Sequence, residues 1–238
     1  MKHARRDDFR PDYGKLGVLA ALFPNAPVAA LTATATKSDR QTICSTLCLR
    51  SPNLVIGNLD RLNIVYAKVF REGSDNEAYA NILEPIAKSL LEQEKMKEAI
   101  LKQLCKPESK CRVVFATMAM EMGVDIPSVR QVVHIGPPRS VQEYYQESGR
   151  AGKDNKTSWT TLYYDNHDIA PNKPSMTDHI RQYCRSTDVC LRKQLLHFLD
   201  APPPLPCSSL HDCCDVCKSH CSCRDCKDDL MSYDQTAF

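Results

Sequence analysis

The stretch from Gln142 to Asp154 reads Q-E-Y-Y-Q-E-S-G-R-A-G-K-D and sets Gln146, Arg150 and Lys153 beside Gly149 and Gly152. These residue types at this spacing suit a phosphate. A guanidinium offers planar, permanently charged donors, and glycines let the backbone approach a ligand without a Cβ in the way. A glycine-rich turn after any helix reads the same way in isolation, so the surrounding motifs decide between the two.

Cysteine carries the second possible chemistry. Of 13 cysteines, Cys44, Cys48, Cys105 and Cys111 are scattered, and nine fall between Cys184 and Cys226. No basic n-region with an apolar h-region opens the sequence, and no apolar run reaches membrane length. The expectation is an intracellular chain with reduced thiols, which favours metal ligation over disulfides. Cys214-Asp-Val-Cys217 is a C-x-x-C knuckle that brings two thiolates to one tetrahedral ion, and two further ligands must come from elsewhere. Cys190 falls in the first turn of an expected helix, and Cys207 follows the prolines of 202–206. Cys213 and His211 are substitutes. The run from His220 to Cys226 reads equally as a disordered tail, a redox-active one or a second weak site.

The elements that must position these residues follow from pattern. Ser140 with Glu143 makes a capping box, which predicts a helix from Val141 to about Gly149. Pro27 to Leu31 reads as a short buried strand entering a hydroxyl-rich turn, and Thr36 with Asp39 opens a helix through Leu47. Leu54–Ile56, Ile64–Phe70, Gln131–Ile135 and Thr160–Tyr164 are strand-like, and Arg112–Ala116 reads as a buried strand with Thr117 at its carboxyl end. Residues 76–104 have helical periodicity, as one helix or two. Helices are also expected over Pro174–Arg185 and Asp188–Leu199, the second capped by Thr187 and stopped by Pro202. At 42% apolar and 25% charged the chain is ordinarily globular, and a net charge of +2 leaves nucleic-acid contacts to local patches.

Taken in order, Leu31–Thr36, Val113–Pro127 with Val129–Ile135, and Gln142–Asp154 resemble the third, fifth and sixth motifs of superfamily 2 helicases. Gln142–Asp154 is similar to the Y-Y-Q-E-x-G-R-A-G-R-D signature of RecQ-type DNA helicases. Asp8-Phe-Arg-Pro-Asp-Tyr13 resembles that family's D-F-R-P-x-Y segment, and Leu59–Asn63 its F-D-R-P-N-I linker between two recombinase-like lobes. The chain departs from the pattern at Leu59 and Leu62, at Met120-Glu121 where Phe-Gly is usual, and at Lys153 where an arginine is usual. It is also short near residue 92, where a strand with the fourth motif, a helix and another strand would stand.

The resemblance implies an α/β fold of partial P-loop NTPase helicase lobes with a parallel sheet, followed by a small helical zinc-binding domain. Residues 1–63 would end the first lobe and form the linker, 64–168 a shortened second lobe, 169–220 the zinc domain and 221–238 a flexible Cys-rich tail. Gln146, Arg150 and Lys153 would face the γ-phosphate. Gly123 and Asp125, with Arg150, would hold the nucleotide, and Thr32, Thr34 and Arg10 would couple to DNA. Cys190, Cys207, Cys214 and Cys217 would hold a structural Zn²⁺. The implied function is an ATP-dependent 3'-5' DNA helicase of recombination and repair, nuclear, acting on single-stranded or forked DNA, with no membrane partner. The 238 residues contain no G-x-x-x-x-G-K-S/T loop and no D-E-x-H or D-E-x-D box. Inactivity alone is therefore expected, with ATP and Mg²⁺ used only if those motifs are supplied, as by association with a full-length relative. The alternative is a non-catalytic, zinc-stabilised DNA- or protein-binding module.

Overall fold

The computed structural model describes residues 15–23, 25–71, 113–114, 126, 128–207 and 209–226. The expected helices of 76–104, most of the 112–116 strand, and Arg10, Gly123 and Asp125 lie outside the described residues.

Three parallel strands form the sheet: β1 (Ile64–Phe70), β2 (Gln131–Ile135) and β3 (Ser158–Tyr164), in the order β1-β3-β2. Tyr66 and Val132 both stand opposite Thr160 on the central strand. β3 alternates as a strand with one covered face must: Ser158, Thr160, Leu162 and Tyr164 are buried, and Trp159 is half exposed.

Six helices are described: α1 (Val18–Leu22), α2 (Lys37–Thr46), α3 (Val141–Ser148), α4 (Asp178–Arg185), α5 (Leu191–Phe198) and α6 (Asp215–Ser219). Thr36 and Asp39 form the complete capping box that the sequence predicts for α2. At α3 half of the expected box forms. Ser140 Oγ accepts from the Glu143 amide at 3.2 Å, and the Glu143 carboxylate accepts from the Arg139 amide at 2.9 Å instead of closing on Ser140. Thr187 does not cap α5, because its hydroxyl donates to Asp188 and the helix starts three residues later, with Cys190 at the N-cap.

The core lies between the covered face of the sheet and α3, α4 and α5. Ile64, Tyr66, Val141, Tyr144, Leu162, Ile180, Tyr183, Leu191 and Leu195 are all buried. Val141, Tyr144 and Ser148 share one face of α3 at helical spacing, and the Tyr144 and Tyr183 rings meet with centroids 5.3 Å apart. Lys68 reaches from β1 to the end of α4, where its ammonium donates to the carbonyls of Tyr183, Cys184 and Ser186. Those carbonyls carry the negative end of the helix dipole and have no partner within the helix.

Two expected strands do not form. Residues 27–32 and 52–58 are irregular, and Leu31 and Val55 are each 96% exposed. A strand is stable only with a ladder partner, and neither segment pairs with a described strand. Residue 158 extends β3 two positions earlier than expected, and α4 and α5 begin later, at Asp178 and Leu191.

Candidate phosphate-facing turn and cysteine cluster

The turn after α3 is held from below by the segment Leu59–Asn63. Arg61 Nη2 donates to the carbonyls of Ala151 at 3.2 Å and Gly152 at 3.1 Å, and its Nη1 to Gly149 at 3.4 Å. Asn63 Nδ2 donates to Gly152 at 2.7 Å and Lys156 at 3.1 Å. The Tyr145 hydroxyl donates to the Leu59 carbonyl at 2.7 Å. Gly152 adopts φ +61°, and a Cβ there would collide with the Asn63 side chain, so glycine is required for a conformational and a steric reason together. Five carbonyl contacts thus fix the backbone that carries Arg150 and Lys153.

Gln146 lies on α3, Arg150 is half-buried in the turn, and Lys153 is exposed at its far side. Gln146 Nε2 donates to Thr34 Oγ1 at 2.7 Å, so two of the sequence-predicted residues meet. Thr34 is buried, whereas Thr32 is exposed on the irregular segment before it.

Asp60 extends the same segment toward the cysteines. Its carboxylate pairs with Arg192 Nε at 2.9 Å, both side chains being 2% exposed, and accepts from the Leu205 amide at 2.7 Å. Arg192 Nη1 in turn lies 2.6 Å from Cys207 Sγ. A buried carboxylate, a guanidinium and a thiol therefore form one line from the linker to the cysteine segment. Nothing in the local pattern of Leu59–Asn63 announces this role, since its partners lie some 90 to 145 residues away.

The sulfurs of Cys190, Cys213, Cys214 and Cys217 all lie within 4.8 Å of one another. Cys190 Sγ is 3.5 Å from Cys213 Sγ and 3.9 Å from Cys214 Sγ. A tetrahedral ion with sulfur ligands at about 2.3 Å sets its sulfurs about 3.8 Å apart, so donor set and spacing fit a zinc-class ion. Of the four cysteines that the resemblance implies, the structure brings together Cys190, Cys214 and Cys217. Cys207 stands beside the group, within hydrogen-bonding reach of Cys213. Hydrogen bonds from Cys213 and Cys214 hold the Cys190 thiol far below its ordinary range, and burial pushes Cys217 up to about 12. The segment is seated on the sheet edge: the Tyr66 amide donates to the Cys213 carbonyl at 3.3 Å and the Lys68 amide to the Asp215 carboxylate at 2.7 Å.

The family model described as helicase conserved C-terminal domain matches residues 82–155. The chain is 33% identical to the ATP-dependent DNA helicase RecQ of Pasteurella multocida, over 88% of this chain and 39% of that protein. It is 32% identical to the ATP-dependent DNA helicase RecQ of Haemophilus influenzae, over 88% of this chain and 40% of that protein. Against the RecQ-like DNA helicase BLM of Xenopus laevis the identity is 30%, over 80% of this chain and 18% of that protein. The chain thus spans about two fifths of the length of the two bacterial relatives.

Proposed function

Since this chain is a relative of the RecQ-type DNA helicases over most of its length, we propose that it serves ATP-dependent 3'-5' DNA unwinding as the lobe that completes a nucleotide site. Gln146, Arg150 and Lys153 face the γ-phosphate, Gly123 and Asp125 hold the nucleotide with Arg150, and Thr32, Thr34 and Arg10 couple the site to DNA. The observation that supports this reading best is the turn after α3, whose backbone Arg61 and Asn63 hold by five carbonyl contacts. Positive groups that stabilise a transferring phosphoryl group must be fixed before the reaction, and a clamped turn supplies that. ATP and Mg²⁺ bind once a phosphate-cradling loop and an acidic box face this turn, and the 238 residues contain neither.

A structural Zn²⁺ is held by Cys190, Cys207, Cys214 and Cys217. Four thiolates close the tetrahedron and leave no position for a reactive water, so the ion is a folding device. DNA, single-stranded or forked, is the partner, and the expected setting is recombination and repair in the nucleus. No described helix is long and apolar enough to cross a membrane.

The test is ATP hydrolysis by the purified chain, alone and mixed with a separately expressed first lobe from a RecQ-type relative. Alone it should show no DNA-stimulated turnover, and with the lobe supplied turnover should appear and vanish with Arg150→Ala. Turnover by the chain alone that survives Arg150→Ala would overturn the reading. DNA binding indifferent to nucleotide and to the added lobe would favour the second reading, a zinc-stabilised binding module, which the lack of a phosphate-cradling loop in these residues supports.

A further inference from the structure

We propose a second metal site, made by His211, Cys221, Cys223 and Cys226, which takes a zinc-class divalent ion and fastens the segment after α6 to the turn before it. The four donor atoms lie within 4.8 Å of one another, and none belongs to the Cys190 group. Cys223 Sγ is 3.2 Å from His211 Nδ1, and Cys221 Sγ is 3.6 Å from it. A tetrahedral ion with sulfur at about 2.3 Å and imidazole nitrogen at about 2.0 Å sets those donors about 3.5 Å apart.

Two of the donors, His211 and Cys226, are delivered by separate local elements. His211 sits on the 3-10 turn Leu210–Asp212, with the Asp212 carboxylate 3.7 Å from Nε2 and the Ser209 hydroxyl 2.8 Å from Nδ1 and 3.0 Å from Nε2. A carboxylate beside the far nitrogen is a group that orients a ligating imidazole. Cys226 is 6% exposed on a helical turn that begins at Arg224, so the fourth donor is a buried one. Three sulfurs and one nitrogen form a closed, soft donor set that selects zinc over magnesium or calcium. The two sites interleave. His211 precedes Cys213 by two residues, and α6 leads from Cys217 to Cys221, so ions at both would brace the same short segment from either side. Segments of this size bury little apolar surface and take their stability from the metal.

The experiment is elemental analysis and native mass spectrometry of the purified full chain, grown with zinc and washed free of loosely held metal. Two equivalents are expected. Cys226→Ser and His211→Gln should each lose one and keep the other, whereas Cys217→Ser should lose the ion of the proposed function and keep this one. Should Cys226→Ser unfold the segment and lose both, His211→Cys decides. It should keep both equivalents and remove the nitrogen ligand from the zinc X-ray absorption spectrum. A single equivalent unaffected by Cys226→Ser, a nitrogen ligand that survives His211→Cys, or a disulfide among Cys221, Cys223 and Cys226 in the reduced-handled protein overturns the proposal.

Discussion

The Gln146 side-chain amide donates to the Thr34 hydroxyl at 2.7 Å, joining the helix before the Gly149–Gly152 turn to a segment 112 residues earlier. Thr34 is the buried member of the pair and Gln146 the exposed one. The bond therefore competes with water on one side only, and its net contribution belongs at the low end, about 0.5 kcal/mol. A double-mutant cycle with Thr34→Val and Gln146→Ala, followed by urea unfolding, should show coupling of that size and sign. Strict additivity would mean that the contact does not persist in solution.

Arg61 has a larger expected effect. Its guanidinium is the donor for carbonyls at Gly149, Ala151 and Gly152, and hydrogen bonds to charged groups are the stronger kind. Arg61→Gln should destabilise the chain by about 2 kcal/mol. Amide exchange at residues 149–156 should accelerate more than exchange in α5.

Gly152→Ala should cost more than about 1 kcal/mol, because φ +61° and the Asn63 side chain both oppose a Cβ. Asn63→Ala combined with Gly152→Ala should cost less than the sum of the two single changes, since it removes the closest clash while the contacts with the Lys156 carbonyl and Ser158 hydroxyl, and the conformational share, remain. Thermal melts of the two single variants and the double variant measure the split.

What was legible in the sequence is what is local. Thr36 and Asp39 cap α2 from three residues apart, and Ile64–Phe70 and Gln131–Ile135 are strands as their branched and aromatic residues imply. Leu54–Ile56 misleads because apolar residues signal burial, and burial needs a partner that the segment itself does not encode. The segment Leu59–Asn63 is silent for a related reason: Asp60, Arg61 and Asn63 tie it to the turn and to Arg192 through contacts that no local period encodes. Cys213 is the same kind of case, since its approach to Cys190 depends on how β1 seats the knuckle.

Alkaline pH should unfold the chain early. Burial pushes the Tyr144 hydroxyl up to about 12 and raises Tyr66 and Tyr183 as well, against an ordinary value of 10.0. Burial likewise pushes the Cys184 thiol from 9.0 up to about 12. For groups whose folded values are raised, the unfolded chain releases protons first, so their stability is whole below pH 9 to 10 and is lost as pH climbs toward 12. Lys68 runs the other way, because burial lowers it from 10.5 and rising pH relieves that penalty. One lysine does not offset three tyrosines and a cysteine. Melting temperature should fall steeply above pH 10, and Tyr144→Phe should flatten the slope; a flat profile to pH 12 would contradict the burial of these hydroxyls.

The fourth ligand of the ion proposed at Cys190 sets spacing against static proximity. Cys213 has the nearer sulfur, at 3.5 Å from Cys190, but it immediately precedes Cys214, and its carbonyl is committed to the Tyr66 amide on the sheet edge. Two consecutive residues must then face one ion while the backbone of the first stays fixed at φ −90°, ψ −64°. Cys207 arrives from a separate segment, and Arg192, paired with Asp60, stands 2.6 Å from its sulfur and fixes its place beside the group. Cys207→Ser should therefore release one equivalent of zinc and expose the segment after Asp165 to protease, and Cys217→Ser and Cys190→Ser should do the same. Cys213→Ser should retain that equivalent. Elemental analysis of the four variants beside limited proteolysis reads the outcome, and zinc kept by Cys207→Ser but lost by Cys213→Ser would give the fourth position to Cys213.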